Sequence, residues 1–254
     1  MWFFMPSMSR ILNIDIVSVT RKSLLPNLSE GVLFTPNVDH LVRLQEDREF
    51  YEAYQRAEWV ICDSMIIYRL SRMLKEKIIE PIPGSTFFHV FCDFHRKDND
   101  TRIFILGGKE GITQQAQKNI NERVGRQMIV GAYSPSFSFV EDRRESETLV
   151  NMIRESGATV LMVCATSPKQ EVWIARYRYA LPKVRLFMAL GATVDFEAGS
   201  AKRCPLSIQR MGMEWFWRFC QEPRRLFKRY FVDDMKFFWY FGKQLLGVYR
   251  NPFE

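Results

Sequence analysis

The sequence predicts an α/β protein: a Rossmann-like, mostly parallel sheet with helices on both faces, followed by a basic, aromatic helical appendage. Three observations carry this. Short runs such as 59–62, 159–164 and 185–190 are almost wholly apolar, as strands buried on both faces should be. Amphipathic stretches of helical period stand between such runs, and strand–helix alternation builds parallel sheets. After about residue 200 the strand-like runs stop, and aromatic residues and arginines take over.

In chain order, strands are expected at 11–19, 31–34, 59–62, 102–106, 159–164 and 185–190. Between them, 37–56 places Val38, Leu41, Leu44, Tyr51 and Tyr54 close to one helical face. Segments 65–77, 86–97, 110–126, 143–156 and 169–180 read the same way. Pro223 opens a further helix, at a position where its missing N–H costs nothing. The change of pattern places a soft boundary at 200–205, with an α/β domain over 1–200 and an appendage over 201–254. In open parallel sheets ligands bind beyond the C-terminal strand ends, so functional residues belong in the loops after the strands.

Composition narrows the class. The 254 residues are 47% hydrophobic and 26% charged, enough for a sizeable core and unlike a disordered chain. Residues 201–231 hold eight Lys/Arg against two Glu, so six of the seven net positive charges lie there. A local patch implies a local anionic partner. The five cysteines form no Cys-x-x-Cys pair, which suits reduced thiols used as small apolar residues in the cytoplasm. Cys92-x-x-His95 has no second half, so no metal site is expected. The apolar start, Met1 to Met5, is too short for a signal peptide and is interrupted by Pro6. No window approaches the roughly 18 apolar residues of a membrane span, so a soluble or peripheral protein is expected.

Several strand-end loops carry candidate residues. Thr35 and Asn37, in Thr35-Pro36-Asn37, can hydrogen-bond a ligand, although Asn37 also suits a helix N-cap and local sequence favours the cap. Asp63 ends an apolar run and Ser64 opens the next helix. Apolar surroundings raise a carboxyl pKa and fit it for general-base work; an N-cap Asp is the equal alternative. Gly84 and Ser85, after Pro83, let backbone N–H groups approach a phosphate, or make an ordinary turn. Gly107-Gly108 also follows a strand, but neither a GxGxxG nor a GxxxxGK[ST] pattern is present, so neither a dinucleotide fingerprint nor a Walker loop is supported. In Ser167-Pro168-Lys169-Gln170-Glu171, Gln170 and Glu171 either face a ligand or complement a helix dipole. Asp195, after the Gly191 turn, faces the same choice. In the basic region Arg225 and Arg229 share a helix face, as do Arg224 and Lys228. Trp215, Phe216, Trp217, Phe219, Phe227, Tyr230 and Phe231 surround them. This mixture suits an anionic membrane surface better than plain packing or nucleic acid.

Singly these motifs are weak, but their order is specific. Thr-Pro-Asn, a strand-end Asp, Pro-Gly-Ser, Leu-Gly-Gly, Ser-Pro-Lys-Gln-Glu, Gly-Ala-x-x-Asp-Phe-x-Ala-Gly, Lys-Arg-x-Pro, Met-Glu-Trp and Glu-Pro-x-Arg-x-x-x-Arg-Tyr follow one another. Together, over roughly 11–230, they resemble the WecG/TagA/CpsF glycosyltransferases. The resemblance implies inverting transfer of a sugar, of N-acetylmannosamine type or a related hexose, from a UDP-sugar to a polyprenyl-diphosphate-linked sugar. It implies no metal or other cofactor, and places the work at the cytoplasmic membrane face in bacterial surface or exopolysaccharide synthesis. By the same resemblance Asp63 matches the proposed base, and Thr35, Asn37 and Gln170 match polar active-site positions. Gly84, Ser85, Gly107, Gly108, Lys169, Glu171, Gly191 and Asp195 then become candidate substrate contacts, and Arg218, Arg225 and Arg229 look like appendage arginines that reach a diphosphate. No nucleic acid partner is expected, and a homo-oligomer is compatible with all of this. The chain departs from the family pattern at Ser64, Thr86, 164–166 and Cys204, which bears on the donor sugar more than on the reaction. The alternative is a non-catalytic, membrane-associated nucleotide-sugar-binding protein. A nicotinamide-dependent enzyme is disfavoured by the missing glycine fingerprint.

Overall fold

The fold is taken from a computed structural model describing residues 6–202, 204, 205, 208 and 211–254, with Arg225 described by its backbone alone. The chain opens with an antiparallel hairpin, β1 (Ser7–Ile11) and β2 (Ile14–Ser18), pairing Ile11 with Ile14. The expected single strand over 11–19 is therefore two strands. Leu12 turns the chain with φ of +53°, a conformation that an apolar run does not advertise. After α1 (Arg21–Asn27) come β3 (Gly31–Phe34), α2 (Val38–Arg43), α3 (Arg48–Gln55), β4 (Trp59–Val60), α4 (Met65–Ser71) and α5 (Gly84–Phe94). Then follow β5 (Ile103–Gly107), α6 (Ile112–Val124), β6 (Ile129–Tyr133), α7 (Arg143–Ser156), β7 (Val160–Cys164), α8 (Lys169–Tyr177), β8 (Leu186–Ala189) and α9 (Thr193–Ala198).

The expected helix over 37–56 is split because Asp47 caps a second one, accepting the Phe50 N–H. Strand β6 escapes the sequence pattern. It is an edge strand, mostly half-buried, and Gly131 interrupts its apolar run where the Phe104 ring leaves no room for a Cβ.

The six sheet strands are all parallel, in the order β4-β3-β8-β7-β5-β6. Side chains alternate across the sheet. Phe34, Leu106, Val163 and Phe187 join one core layer with Leu41, Phe50 and Trp173. Leu33, Ile105, Met162 and Met188 join the other with Phe87, Phe88 and Ile120. Helices on both faces therefore shield every central strand, which is why those strands read as continuous apolar runs.

Gly107, the last residue of β5, pairs with Cys164, the last of β7. It has φ of +119°, and a Cβ there would stand 2.1 Å from the Cys164 carbonyl oxygen. Gly107→Ala is expected to cost about 3 kcal/mol or more, as left-handed strain adds to a backbone clash; urea unfolding at constant m-value measures this. An unchanged midpoint would contradict it.

Beyond the expected boundary the chain forms α10 (Glu214–Gln221), α11 (Pro223–Lys228) with Pro223 in its first turn, a π-helical turn over Arg229–Asp233, and α12 (Met235–Leu245). It then returns to the body. Phe237 and Phe241 of α12 are buried in the first core layer, and Gln244 bridges the hairpin, accepting the Leu12 N–H at 2.9 Å and donating to the Arg10 carbonyl at 2.9 Å. Among the described residues no helix is long and apolar enough to cross a membrane.

Candidate active site

The C-terminal ends of β3, β4 and β8 meet the start of α5. Asp63 stands in the loop after β4, and Ser64 beside it caps α4 by accepting the Ile67 N–H. The cap position is thus filled, and the Asp63 carboxylate is free to point across the loop. There its Oδ1 accepts the Gly84 N–H at 2.9 Å, the first backbone donor of an 11-residue helix, whose N-terminus favours negative charge. Gly84 permits this approach, since a Cβ there would lie 3.1 Å from Leu190 and 3.4 Å from Thr35 Oγ1. Thr35 is buried and donates to the Ala189 carbonyl at 3.5 Å, joining the β3 and β8 loops. Burial pushes Asp63 up to about 6; the Gly84 N–H opposes this, Glu214 adds to it and Arg218 opposes it. A carboxyl in that range is ionised near neutrality and remains basic enough to take a proton.

Glu214 and Arg218 bring α10 of the tail to this site. They pair at 3.2 Å, and the Arg218 guanidinium lies 5.9 Å from the Phe196 ring centre of α9. Two more contacts hold this part of the tail. Arg69 of α4 donates to the Met211 carbonyl at 2.6 Å, and Arg229 reaches buried Asp39 of α2 at 3.6 Å. No local pattern marks these two contacts, because the residues that meet lie far apart along the chain; Asp39 also pairs locally with Arg43 at 3.0 Å. Arg229 thus serves as a tether to α2. The Arg225 side chain lies outside the described residues.

Gln170 is buried at the start of α8. Its Oε1 accepts from Gly191 N at 2.9 Å and Ala165 N at 3.3 Å, and its Nε2 donates to Glu171 Oε1 at 2.8 Å. Glu171 is fully buried, and burial pushes it up to about 7 against the Gln170 hydrogen bond. His40 Nδ1 lies 3.9 Å from the Glu171 carboxylate and 2.7 Å from the Tyr54 hydroxyl. Burial holds His40 at about 3, so it is neutral and forms no ion pair.

The remaining candidates divide. Asn37 is the N-cap of α2, its Oδ1 accepting the His40 N–H at 3.2 Å. Ser85 lies in the first turn of α5 beside Gly84. Gly191 turns with φ of +51° and faces open space. Asp195 lies in the first turn of α9, and its carbonyl accepts from Ser200 N and Ala201 N. Gly107 and Gly108 are explained by packing: a Cβ on Gly108 would meet Thr113 and Val194. Lys169 turns away toward the loop before α7, donating to the Phe137 carbonyl with its ammonium 3.7 Å from that ring centre and 3.6 Å from Glu141.

Among the described residues no three His, Cys, Asp or Glu side chains converge as a metal site would require. Residues 9–251 match the model of the Glycosyl transferase WecG/TagA/CpsF family.

Proposed function

The chain belongs to the WecG/TagA/CpsF family and is a glycosyltransferase, and on that premise we propose that it moves a sugar from a UDP-sugar to a polyprenyl-diphosphate-linked sugar, with inversion and without a metal. The observation that carries the reading is Asp63: partly buried, raised to about 6, and aimed at a helix N-terminus beside Arg218. As the acceptor hydroxyl attacks the anomeric carbon from the face opposite UDP, Asp63 takes its proton. The new C–O bond forms as the bond to the phosphate oxygen breaks, and the electron pair leaves with UDP. Arg218 and the N-terminus of α5 supply positive potential for the departing diphosphate, as charge stabilisation without a metal requires. A panel of UDP-sugars offered with lipid-linked acceptors tests this: UDP release that needs both substrates supports it, and binding without turnover across the panel would leave a nucleotide-sugar-binding protein instead.

The acceptor's lipid calls for a membrane surface, which we assign to the tail. Helix α12 is apolar on two sides. While Phe237 and Phe241 enter the core, Phe238 and Trp239 stay exposed, as do Phe227, Phe231, Val232 and Met235 before them. Arg224 and Lys228 are exposed nearby. Aromatics beside cations suit the headgroup layer of an anionic membrane. Replacing Phe231, Phe238 and Trp239 together by Ser is expected to lower partition onto anionic liposomes by about 10³-fold or more, since each inserted ring is worth roughly 1.5–3 kcal/mol. Sedimentation unchanged from wild type would reject this surface. With the tail on the membrane, the work lies on its cytoplasmic face, where UDP-sugars are found.

A further inference from the structure

Glu171 is fully buried beside the candidate active site, and among the described residues one of its carboxylate oxygens finds no hydrogen-bond partner. Ser167 lies near enough to favour its ionised form, but among the described residues the Ser167 hydroxyl also has no partner at hydrogen-bond distance. His40, 3.9 Å away, is neutral and already bonded to Tyr54. The contact that organises this carboxylate is the 2.8 Å hydrogen bond from Gln170 Nε2. A primary amide can sit either way round, and its neighbours decide which. Gln170 has a carboxylate on one side and two backbone N–H groups, of Ala165 and Gly191, on the other. Only one orientation satisfies all three; the reverse sets donors against donors and oxygen against oxygen. Those two N–H groups belong to the loops after β7 and β8, at the ligand-binding end of the sheet.

We infer that Glu171 is a positioning residue: it sets the direction of the Gln170 side-chain amide, and through it clasps the loops after β7 and β8 at the spacing the active site uses. The consequence for catalysis rests on the glycosyltransfer reading above, but the clasp itself is testable without activity.

Amide hydrogen exchange reads it directly. In Glu171→Met, which cannot accept a hydrogen bond, the Gly191 and Ala165 amides are expected to exchange about tenfold faster or more, the scale of losing one hydrogen bond to a charged group. Amides inside β7 and β8 should keep their rates. Glu171→Gln keeps an acceptor oxygen and should stay within about threefold of wild type, and a Gln170→Met, Glu171→Met double variant should exchange no faster than Gln170→Met alone, since both act through one contact. In transfer assays kcat should fall with the loosened clasp and recover in Glu171→Gln. Unchanged exchange in Glu171→Met, or additive effects in the double variant, would overturn the inference even if sugar transfer is confirmed. Should Glu171→Met fail to fold, the native protein carries the test. The Gln170 side-chain amide protons, held by Glu171, should be protected from exchange in NMR; a freely exchanging pair would equally overturn it.

Discussion

Asp63→Asn is expected to lower turnover by about 10²–10⁴-fold, the range attributed to a positioned general base, while the protein stays folded. Asn keeps an oxygen that can accept the Gly84 N–H but cannot take the acceptor's proton. In the wild-type enzyme the same carboxyl is expected to give kcat/KM an acidic limb, low where Asp63 is protonated, rising through about pH 6 and level above. Stability runs the other way. The folded-state pKa lies above the ordinary value of 3.8, so folding favours the protonated form. That contribution is complete below about pH 4 and is lost as pH rises through 6. Above pH 6 the Asn variant, which has no charge to desolvate, should therefore be the more stable protein, by on the order of 1 kcal/mol. Function at the expense of stability is a common trade at active sites. Retained turnover in a folded Asp63→Asn protein would remove Asp63 as the base, and a pH profile flat from 5 to 8 would remove its raised pKa.

Phe237→Ala is the substitution expected to cost most in stability, about 3–5 kcal/mol, as for a large aromatic removed from a packed core. Its ring is fully buried, with Phe241 nearby at 5.7 Å between ring centres. Neighbouring exposed positions provide the control. Phe238→Ala removes a ring of the same size from the same helix, yet should change stability by only about 0.5 kcal/mol, because it faces solvent. Equal destabilisation by the two would mean that α12 does not dock as described. The same packing bears on truncation. Removing everything after residue 200 takes Phe237, Phe241 and the Gln244 bridge away from the body, so loss of activity in such a protein would report core damage as well as a missing tail.

Much of the fold was legible in the sequence. Strands β3, β5, β7 and β8 are shielded on both sides by helices, so every residue in them had to be apolar, and a continuous run betrays that. Helix α7 was legible to the residue, since Asp142 caps it and Gly157 ends it in the left-handed conformation that glycine allows. Strand β6 was not: an edge strand is shielded on one side only, and its half-exposed residues carry no run. The hairpin was hidden because Leu12 takes a turn conformation that its side chain disfavours. At the site, the order of short motifs pointed to Asp63, Thr35, Asn37 and Gln170 and to the family.

What those residues do locally was a different matter. Asp63 and Ser64 are equally good caps as letters, and only the structure shows that Ser64 takes that duty and leaves Asp63 for Gly84. As letters, Gln170 and Glu171 could face a ligand or complement a helix dipole; in the fold they also answer to each other and to two loop amides. The resemblance made Arg229 an arginine that reaches a diphosphate; what the letters did not record is that it also meets Asp39, nearly 200 positions away in the chain.

The sequence by itself determined the fold class, the family and the basic, aromatic character of the tail, because those depend on periodicity, composition and the order of motifs along the chain. Tertiary structure alone decided which carboxylate is raised, which amide clasps which loop, and which face of α12 enters the core. Those are set by distances between residues remote in sequence, and by the exclusion of water, which no local pattern records.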